Sequence, residues 1–475
     1  MAGEPKLVVS LFSGALGLDL GLEQAGFKVA VAVESNPFAA ETIRLNRKDI
    51  HVIQKDIRKV TAKEILKAAG VGRSEIALVT GGPSCQSFST AGGRESLGDP
   101  RGGLFREFLR LVRALQPRFF VLENVRGILS AAVRHRPLAK RGPGYPPLAP
   151  DERLGSALEV VLRSLRRTRY RVVFDLLNTA DYGVPQVRHR VVFLGSRDGE
   201  DIALPSPTHS AANWVTLRAA LKDLNEERPE FTNIPPGKAN YLRFVPAGGN
   251  WKNLPPGLQR KALGRAFVSW GGRSGFCRRL NWDAPAPALT TRPDSKATML
   301  CHPDQLRPLS VGEYAHLQQF PSNWKFDGGT PQKYKMIGNA VPVGLGLVIG
   351  RALLATSEAP RAALLKERTV ECAPGLAARL RARPHTVLNP QRMRPKTHRS
   401  LSEARQWMAE SRGNAVRGGP VLATKKKRSR NTAVSSGRLT SRHALPASVR
   451  NARTTPSSGR RRVSTGSSRF SRKRS

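Results

Sequence analysis

The stretch KLVVSLFSGALGLDLGLEQAGFKVAVAVE, residues 6–34, decides the fold. A β-branched apolar run ends near Phe12. Gly14 and Gly17 follow, apolar positions then recur at helical spacing as far as Gly26, and a second apolar run ends at Glu34. Strand, glycine turn, helix and strand in succession make one unit of an α/β sheet. The alternation continues. PFAAETIRLN reads as a helix with Pro37 in its first turn, and HVIQKD as a third strand running up to Asp56. IALVTGG is a fourth strand, GLFREFLRLVRAL a helix, RFFVLENV a fifth strand and LGSALEVVLRSLRR a helix. YRVVFDLLN and RHRVVFLGS are two further strands. The expectation is α/β class: a doubly wound, mostly parallel sheet with helices on both faces.

Beyond about residue 200 the texture changes. Pro, Gly, Asn, Trp and Arg dominate FVPAGGNWKNLPPG and SWGGRSGFCRRLNWDAPAPALTTRP, and periodicity is poor. A second, smaller, loop-rich domain is expected over 205–305, after a first domain of 1–204. Residues 306–358 return to the first domain, with LSVGEYAHLQQF and PVGLGLVIGRALLAT as helices. Residues 359–475 form a basic, mostly disordered tail, because Ser, Thr, Arg and Lys prevail from about 385 and too little apolar surface remains to hold a fold. LSEARQWMAESRG is a candidate short helix within it.

The 475 residues carry a net charge of +44. Residues 361–475 hold 29 Lys or Arg against 4 Asp or Glu, which leaves +19 on the rest of the chain. The folded part is therefore basic too, and a polyanion, nucleic acid first, is the expected partner. No apolar run reaches the roughly 18 residues of a membrane span, and no secretory pattern precedes the first strand. Cys85, Cys277, Cys301 and Cys372 have no paired short spacing, which argues against a disulfide framework or a zinc site.

Three loops carry chemistry. Gly14 and Gly17 lie between a strand and a helix, where glycine lets a ligand approach the backbone. Glu34 ends the next strand about twenty residues on, suited to ribose hydroxyls. Together they suggest an adenosine-containing cofactor, and the absent G-x-G-x-x-G pattern argues against NAD. A tight turn with a surface glutamate would look the same. The second loop is VTGGPSCQSFSTAGG, residues 79–93. It places Cys85 just past the carboxyl end of a strand, where the crevice of such sheets lies and where backbone N–H groups favour a thiolate. Glu123, at the end of the fifth strand, would face the same crevice. In QVRHR, Gln186, Arg188 and Arg190 alternate, so an extended chain shows them on one face. Two guanidiniums there suit a phosphate or a polarised base edge.

From this constellation a reaction can be built. The Cys85 thiolate adds to carbon 6 of a cytosine while Glu123 protonates or hydrogen-bonds ring nitrogen 3. Carbon 5 becomes nucleophilic and takes a methyl group from S-adenosyl-L-methionine. Loss of the carbon-5 proton and expulsion of the thiolate restore the ring. A base within a duplex must first be flipped out.

Here the chain resembles the DNA (cytosine-5-)-methyltransferases of bacterial restriction–modification systems. The resemblance runs over roughly residues 6–356, in the family's motif order. LFSGALGLDLGLEQAGF, VESNPFAAETIRLN and Asp56-Ile57 resemble the three cofactor motifs. GGPSCQSFSTAG resembles the nucleophile loop, ENV the acid motif and QVRHR the paired-arginine motif. RPLSVGEYAHLQQFPSNW and IGNAVPVGLG resemble the last two motifs. The resemblance implies a Rossmann-like methyltransferase sheet with a target recognition domain over 205–305. It implies Cys85 as nucleophile, Glu123 as acid, and Arg190 holding the flipped base and Glu123, with Arg188 beside it. Phe12, Ser13, Gly14, Gly17 and Leu18 would line the methionine part of the cofactor. Glu34 would take the ribose, Asp56 and Ile57 the adenine, and Asn339 and Val341 would complete that site. Gln86 and Ser89 would belong to a loop closing on DNA. Arg273, Arg278, Arg279 and Arg292 are candidates for groove or phosphate contact, and no metal is implied. Leu16 stands where a second glycine is usual, Ser84 where proline is usual, Ser35 where some members carry an aromatic, and Ala288-Leu289 where many have Thr-Leu.

Two other readings share these residues. One is an RNA cytosine methyltransferase of the same fold, against which stands a recognition region of about 100 residues, long enough to read a major groove. The other is a catalytically silent DNA-binding protein, for which the basic tail speaks, although such a protein would not need Cys85, Glu123 and the arginines. KKKRSR, residues 425–430, looks like a nuclear signal or a DNA-affinity element; non-specific DNA affinity is preferred. The expected partners are double-stranded DNA and a cognate restriction endonuclease, with no membrane, a monomeric state and a bacterial cytoplasmic, nucleoid-associated location.

Overall fold

In the computed structural model, which describes residues 6–83, 103–137, 140–142, 144–268, 273–358 and 369–382, the alternation closes into one sheet. Its first part runs β1 (Lys6–Leu11), α1 (Gly17–Ala25), β2 (Phe27–Val33), α2 (Pro37–Asn46), β3 (His51–Ile53), α3 (Ala62–Ala69), β4 (Ile76–Gly81), α4 (Leu104–Leu115), β5 (Phe119–Val125), α5 (Ser156–Arg166) and β6 (Arg171–Asn178). Then come β7 (Gln186–Val187), β8 (His189–Ser196), α6 (Leu217–Leu221), α7 (Pro236–Leu242), α8 (Pro256–Leu263) and β9 (Ala286–Pro287). The last part is α9 (Val311–Leu317), α10 (Thr330–Asn339), α11 (Val343–Glu358), β10 (Val370–Cys372) and α12 (Pro374–Ala382).

The eight-stranded order is β10-β6-β8-β5-β4-β1-β2-β3. All its pairings are parallel except those of β8, which runs antiparallel to both β5 and β6. That inversion brings the start of β8 to the carboxyl end of β5, with Val125 opposite Arg190. Apolar side chains from one face join α1, α2, α9, α10 and α11 in one cluster. Those from the other join α3, α4, α5 and α12. The helix ends follow local chemistry. The Asn36 side chain accepts from the Phe38 and Ala39 N–H groups ahead of α2, and Ser310 with Glu313 forms a capping box at α9.

The expected elements of the first 200 residues all form, but QVRHR is not one strand. The chain breaks at Arg188 between β7, which pairs with β9 in its own two-stranded ladder, and β8 in the main sheet. Among the described residues, the loop-rich region holds short helices, the two-residue β9 and a small cluster around Leu242, Trp251, Leu254, Phe276 and Met299. Leu217, Leu221 and Leu289 belong to the main cluster instead.

Residues 369–382, assigned to the tail by composition, are built into the fold. Val370–Cys372 pairs with Val172–Phe174 of β6, and Leu376 and Leu380 of α12 are buried in the second core cluster. The helical stretch 330–356 passes a length-and-composition test for a membrane span, yet 56% of its apolar window is buried in the protein. Its apolar, glycine-rich half is explained by packing on α1. A Cβ at Gly21 would lie 2.0 Å from the Val343 carbonyl oxygen, and one at Gly346 2.2 Å from that of Leu18. Only glycine lets these backbones approach so closely.

Candidate active site

The first half of the site lies at the carboxyl ends of β1, β2 and β3. After β1, Phe12, Gly14 and Leu16 all take positive φ, at 56°, 54° and 66°. Leu16 thus keeps the left-handed turn that a glycine would give. The strain costs about 1 kcal/mol, and burying the leucine side chain offsets it by about 2 kcal/mol. The backbone at Gly14 faces open space, since a Cβ there would meet nothing within 4 Å. Beside it stands Glu34, whose Oε2 accepts from the Gly14 N–H at 2.9 Å and whose Oε1 accepts from the Asn36 N–H at 2.7 Å. Ser13 turns inward, donating to the Ser10 carbonyl at 3.1 Å. Gly17 is held against the Val341 carbonyl, and Leu18 and Val341 are buried in the core beneath the loop. Asn339 is exposed at the end of α10, and Ser35 is exposed ahead of α2. Asp56 caps the turn at Ile57–Lys59, and the Arg58 guanidinium holds its carboxyl down at about 2, so it stays ionised. Ile57 is buried. An open backbone, a carboxylate for hydroxyls and an apolar turn in sequence fit an adenosine-bearing methyl donor.

The second half is at the carboxyl end of β5. Glu123 is 8% exposed, and its Oε1 lies 2.5 Å from Arg190 Nε. Gly82 makes room for that carboxyl group: a Cβ there would sit 2.6 Å from Glu123 Oε2. β4 ends at Gly81 opposite Leu122, so the chain departs toward Cys85 from beside Glu123. Cys85, Gln86, Ser89 and Ser84 themselves lie outside the described residues.

Arg188 has a different environment from Arg190, because the break after β7 turns it away. It is 2% exposed, and burial pushes its pKa well below that of an ordinary guanidinium. Its Nη1 donates to the Leu289 carbonyl at 2.8 Å and its Nη2 to the Gly338 carbonyl at 2.7 Å. Gln186 supports it. Gln186 Oε1 accepts from Arg188 at 3.3 Å and from the Leu289 N–H at 3.0 Å, while its Nε2 donates to Gln318 Oε1 at 3.0 Å. Gln318 in turn donates to the Ile337 carbonyl at 2.6 Å and the Ala340 carbonyl at 3.2 Å. Next to it, Gln319 accepts from the Gly344 N–H at 3.0 Å. This buried hub ties the arginine motif, the Ala288-Leu289 segment and the α10–α11 break into one body. Sequence reading missed Gln318 and Gln319. Their one signal was two adjacent glutamines just past the end of a helix.

The profile of the C-5 cytosine-specific DNA methylases matches residues 7–355 of this chain. The chain belongs to that family. It is 37% identical over 351 residues to the Type II methyltransferase M.Sau96I of Staphylococcus aureus, covering 73% of this chain and 75% of that protein. It is 36% identical over 358 residues to M.Eco47II of Escherichia coli, covering 73% and 78%. A crystal structure of a prophage-encoded E. coli protein, described as a DNA modification methyltransferase, aligns with TM-score 0.52 at 24% identity. It covers 74% of this chain and 99% of that one, and it shows the same fold. The methylase is therefore a C-5 cytosine methyltransferase of the DNA-modifying kind.

Of the four candidate arginines of the loop-rich region, three are committed within the methylase. Arg273 stacks over Trp251 at 5.4 Å and donates to the Phe267 carbonyl. Arg278 donates to the Met299 carbonyl at 2.9 Å, and Arg279 to that of Pro303 at 2.9 Å. Arg292, its side chain 75% exposed and paired at 3.3 Å with Asp294, faces solvent. Arg243, Lys252, Arg260, Lys261 and Arg265 of the same region are also exposed.

Proposed function

We propose that the methylase transfers a methyl group from S-adenosyl-L-methionine to carbon 5 of a cytosine within a specific double-stranded sequence, through a covalent Cys85 adduct. The observation that carries this is the Glu123–Arg190 pair at the strand end from which the chain leads to Cys85. Glu123 faces ring nitrogen 3 of the flipped base and draws charge off the ring. Arg190 orients both Glu123 and the base. The Cys85 thiolate forms a bond to carbon 6, and the ring electron pair moves to carbon 5, which bonds the methyl carbon as the donor's sulfur–methyl bond breaks and its electron pair stays on that sulfur. The carbon-5 proton then passes to water, its electron pair re-forms the 5,6 double bond, and the carbon–sulfur bond to Cys85 breaks, restoring the thiolate. When bound, S-adenosylmethionine supplies the methyl group. Glu34 holds its ribose, Asp56 and Ile57 its adenine, and the backbone of Phe12, Ser13, Gly14, Gly17 and Leu18 with Asn339 and Val341 the remainder. Arg188 acts as a positioning residue through the buried hub.

Residues 205–305 read the target sequence, with Arg292 the best placed of the four arginines for phosphate contact and Gln86 and Ser89 approaching from the nucleophile loop. Residues 1–204, 306–358 and 369–382 make the catalytic domain. The Type II relatives favour a restriction–modification role beside a cognate endonuclease. The protein would work as a cytoplasmic, nucleoid-associated monomer.

Bisulfite sequencing of plasmid DNA from cells expressing the methylase, beside a Cys85→Ser control, tests this. Protected cytosines at one short motif, lost in the control, are expected. Protection that survives Cys85→Ser would overturn the covalent route, and no protection in either would overturn the assignment of these residues.

A further inference from the structure

Arg110 lies on α4 and bridges to the far end of the cofactor half. Its Nη2 donates to the Ile57 carbonyl at 2.9 Å and to the Val60 carbonyl at 3.0 Å, and its Nε donates to Glu107 Oε2 at 2.7 Å. The two carbonyls flank the turn at Ile57–Lys59, which begins with Asp56 as its cap.

The Ile57 and Val60 side chains sink into the core beneath the turn, while their carbonyls are held from α4. β3 is three residues long and ends at Ile53, at the edge of the sheet, with β2 its one partner strand. Within the turn, the Lys59 N–H bonds the Asp56 carbonyl at 2.9 Å and the Val60 N–H bonds that of Ile57 at 3.2 Å. These local bonds hold the turn's shape, and Ile57 and Val60 pack it onto the core. Arg110 adds the polar tie that fixes its backbone height, from a helix anchored in the core by Phe108, Leu109, Leu111 and Val112. A guanidinium is suited to this because its plane is fixed by Glu107 at Nε while the two N–H groups of Nη2 each take one carbonyl. Glu107 fixes the fork from one turn earlier on the same helix.

We infer that Arg110 is a positioning residue for the adenine side of the cofactor site. It sets the height of Asp56 and Ile57 above the sheet, and so the affinity for the nucleoside part of the methyl donor. The inference rests on the reading that Asp56 and Ile57 receive adenine.

Calorimetric titration of the full chain with S-adenosylhomocysteine tests it, on wild type, Arg110→Ala and Arg110→Lys. Arg110→Ala should weaken binding about tenfold and raise the KM for S-adenosylmethionine by a similar factor, with KM for DNA and kcat near wild type. Arg110→Lys should recover only part, since its Nζ ends one bond short of the Nη2 that holds both carbonyls and it lacks the Nε–H that bonds Glu107. If Arg110→Ala does not fold, the lysine variant alone decides, because its ligand affinity must still fall. Unchanged Kd in the folded variants, or a fall in Tm and active fraction alone, overturns the inference. A wild-type protein that does not bind S-adenosylhomocysteine overturns the cofactor reading instead, and the inference with it.

Discussion

Arg190 and Glu123 are diagonal neighbours on adjacent antiparallel strands: Val125 faces Arg190, Glu123 faces Val192, and Arg190 Nε lies 2.5 Å from Glu123 Oε1. Same-face diagonal residues are within reach of long side chains, so the inversion of β8 is what creates the pair. A parallel strand there would carry its first residues to the opposite end of the sheet.

The carboxyl group is also bounded from β4, where a Cβ on Gly82 would meet Glu123 Oε2 at 2.6 Å. Gly82→Ala should therefore displace the carboxyl group without removing it. The expected result is a kcat lower by about 100-fold, the lower range for a positioned acid, with Tm within a few degrees of wild type. Single-turnover methylation with a parallel thermal melt measures both. Wild-type turnover would show that the carboxyl position is not set from this side.

Gln318 holds the break between α10 and α11 through the carbonyls of Ile337 and Ala340, and it meets Gln186 from the other side. Gln318→Leu keeps the volume and leaves Gln186 Nε2 and the Ala340 carbonyl without that partner, while the Ile337 carbonyl keeps the Ala340 N–H at 3.2 Å. At about 1–3 kcal/mol for each group left unsatisfied, stability should fall by at least 2 kcal/mol. Urea denaturation should show a lower midpoint at an unchanged m-value. An unaltered midpoint would mean that these groups have other partners to turn to.

Glycine-bounded apolar runs made the sheet legible, because β-branched residues and turn glycines act locally. Glu123 and Arg190 were legible for the same reason: each stands at a strand end, and the strand fixes where it lies. Arg188 was not. Alternation put it on Arg190's face, but a two-residue strand pairing with Ala286–Pro287, a hundred residues away, turned it into the hub. No local pattern reports such a pairing. β10 was missed because Val370–Cys372 is too short for a period to show, and composition hid it within a basic tail. α12 did carry a signal, Leu376 and Leu380 at helical spacing, that the surrounding arginines obscured. The arginines near residue 278 read as surface contacts because sequence cannot tell a solvated guanidinium from one bonded to buried carbonyls.

Asp19 on α1 is 3% exposed. Its Oδ2 accepts from the Ser10 hydroxyl at 2.9 Å, while Oδ1 has no hydrogen-bond partner among the described residues. Burial pushes its carboxyl group up to about 7, against a smaller downward pull from Ser10. The folded protein then keeps a proton that the unfolded chain gives up near pH 4. Stability from this group is present below pH 4 and is lost as pH rises to about 7, by up to about 4 kcal/mol. Asp19→Asn has no such proton to lose. Its denaturation midpoint relative to wild type should rise between pH 5 and pH 8, and the gain should level off above pH 8. A constant difference across that range would mean that Asp19 is ionised throughout.

The end of the fold can be located by truncation. Residues 383–475 hold 24 Lys or Arg against 2 Asp or Glu. A chain ending at residue 382 should keep its Tm and its methylation, and bind DNA with a shallower dependence on salt, because fewer phosphates are neutralised. A chain ending at 358 loses far more. The Val172 N–H loses the Thr369 carbonyl and the Phe174 carbonyl loses the Ala373 N–H, both at 2.9 Å. The burial of Leu376 and Leu380 goes too, each contributing about 1.5–3 kcal/mol. β6 is left as a bare, apolar edge open to pairing with another chain. The shorter protein should melt well below the longer one and aggregate on concentration, as thermal melts and light scattering would record. Equal melting temperatures would show that β10 and α12 rest on the sheet without stabilising it.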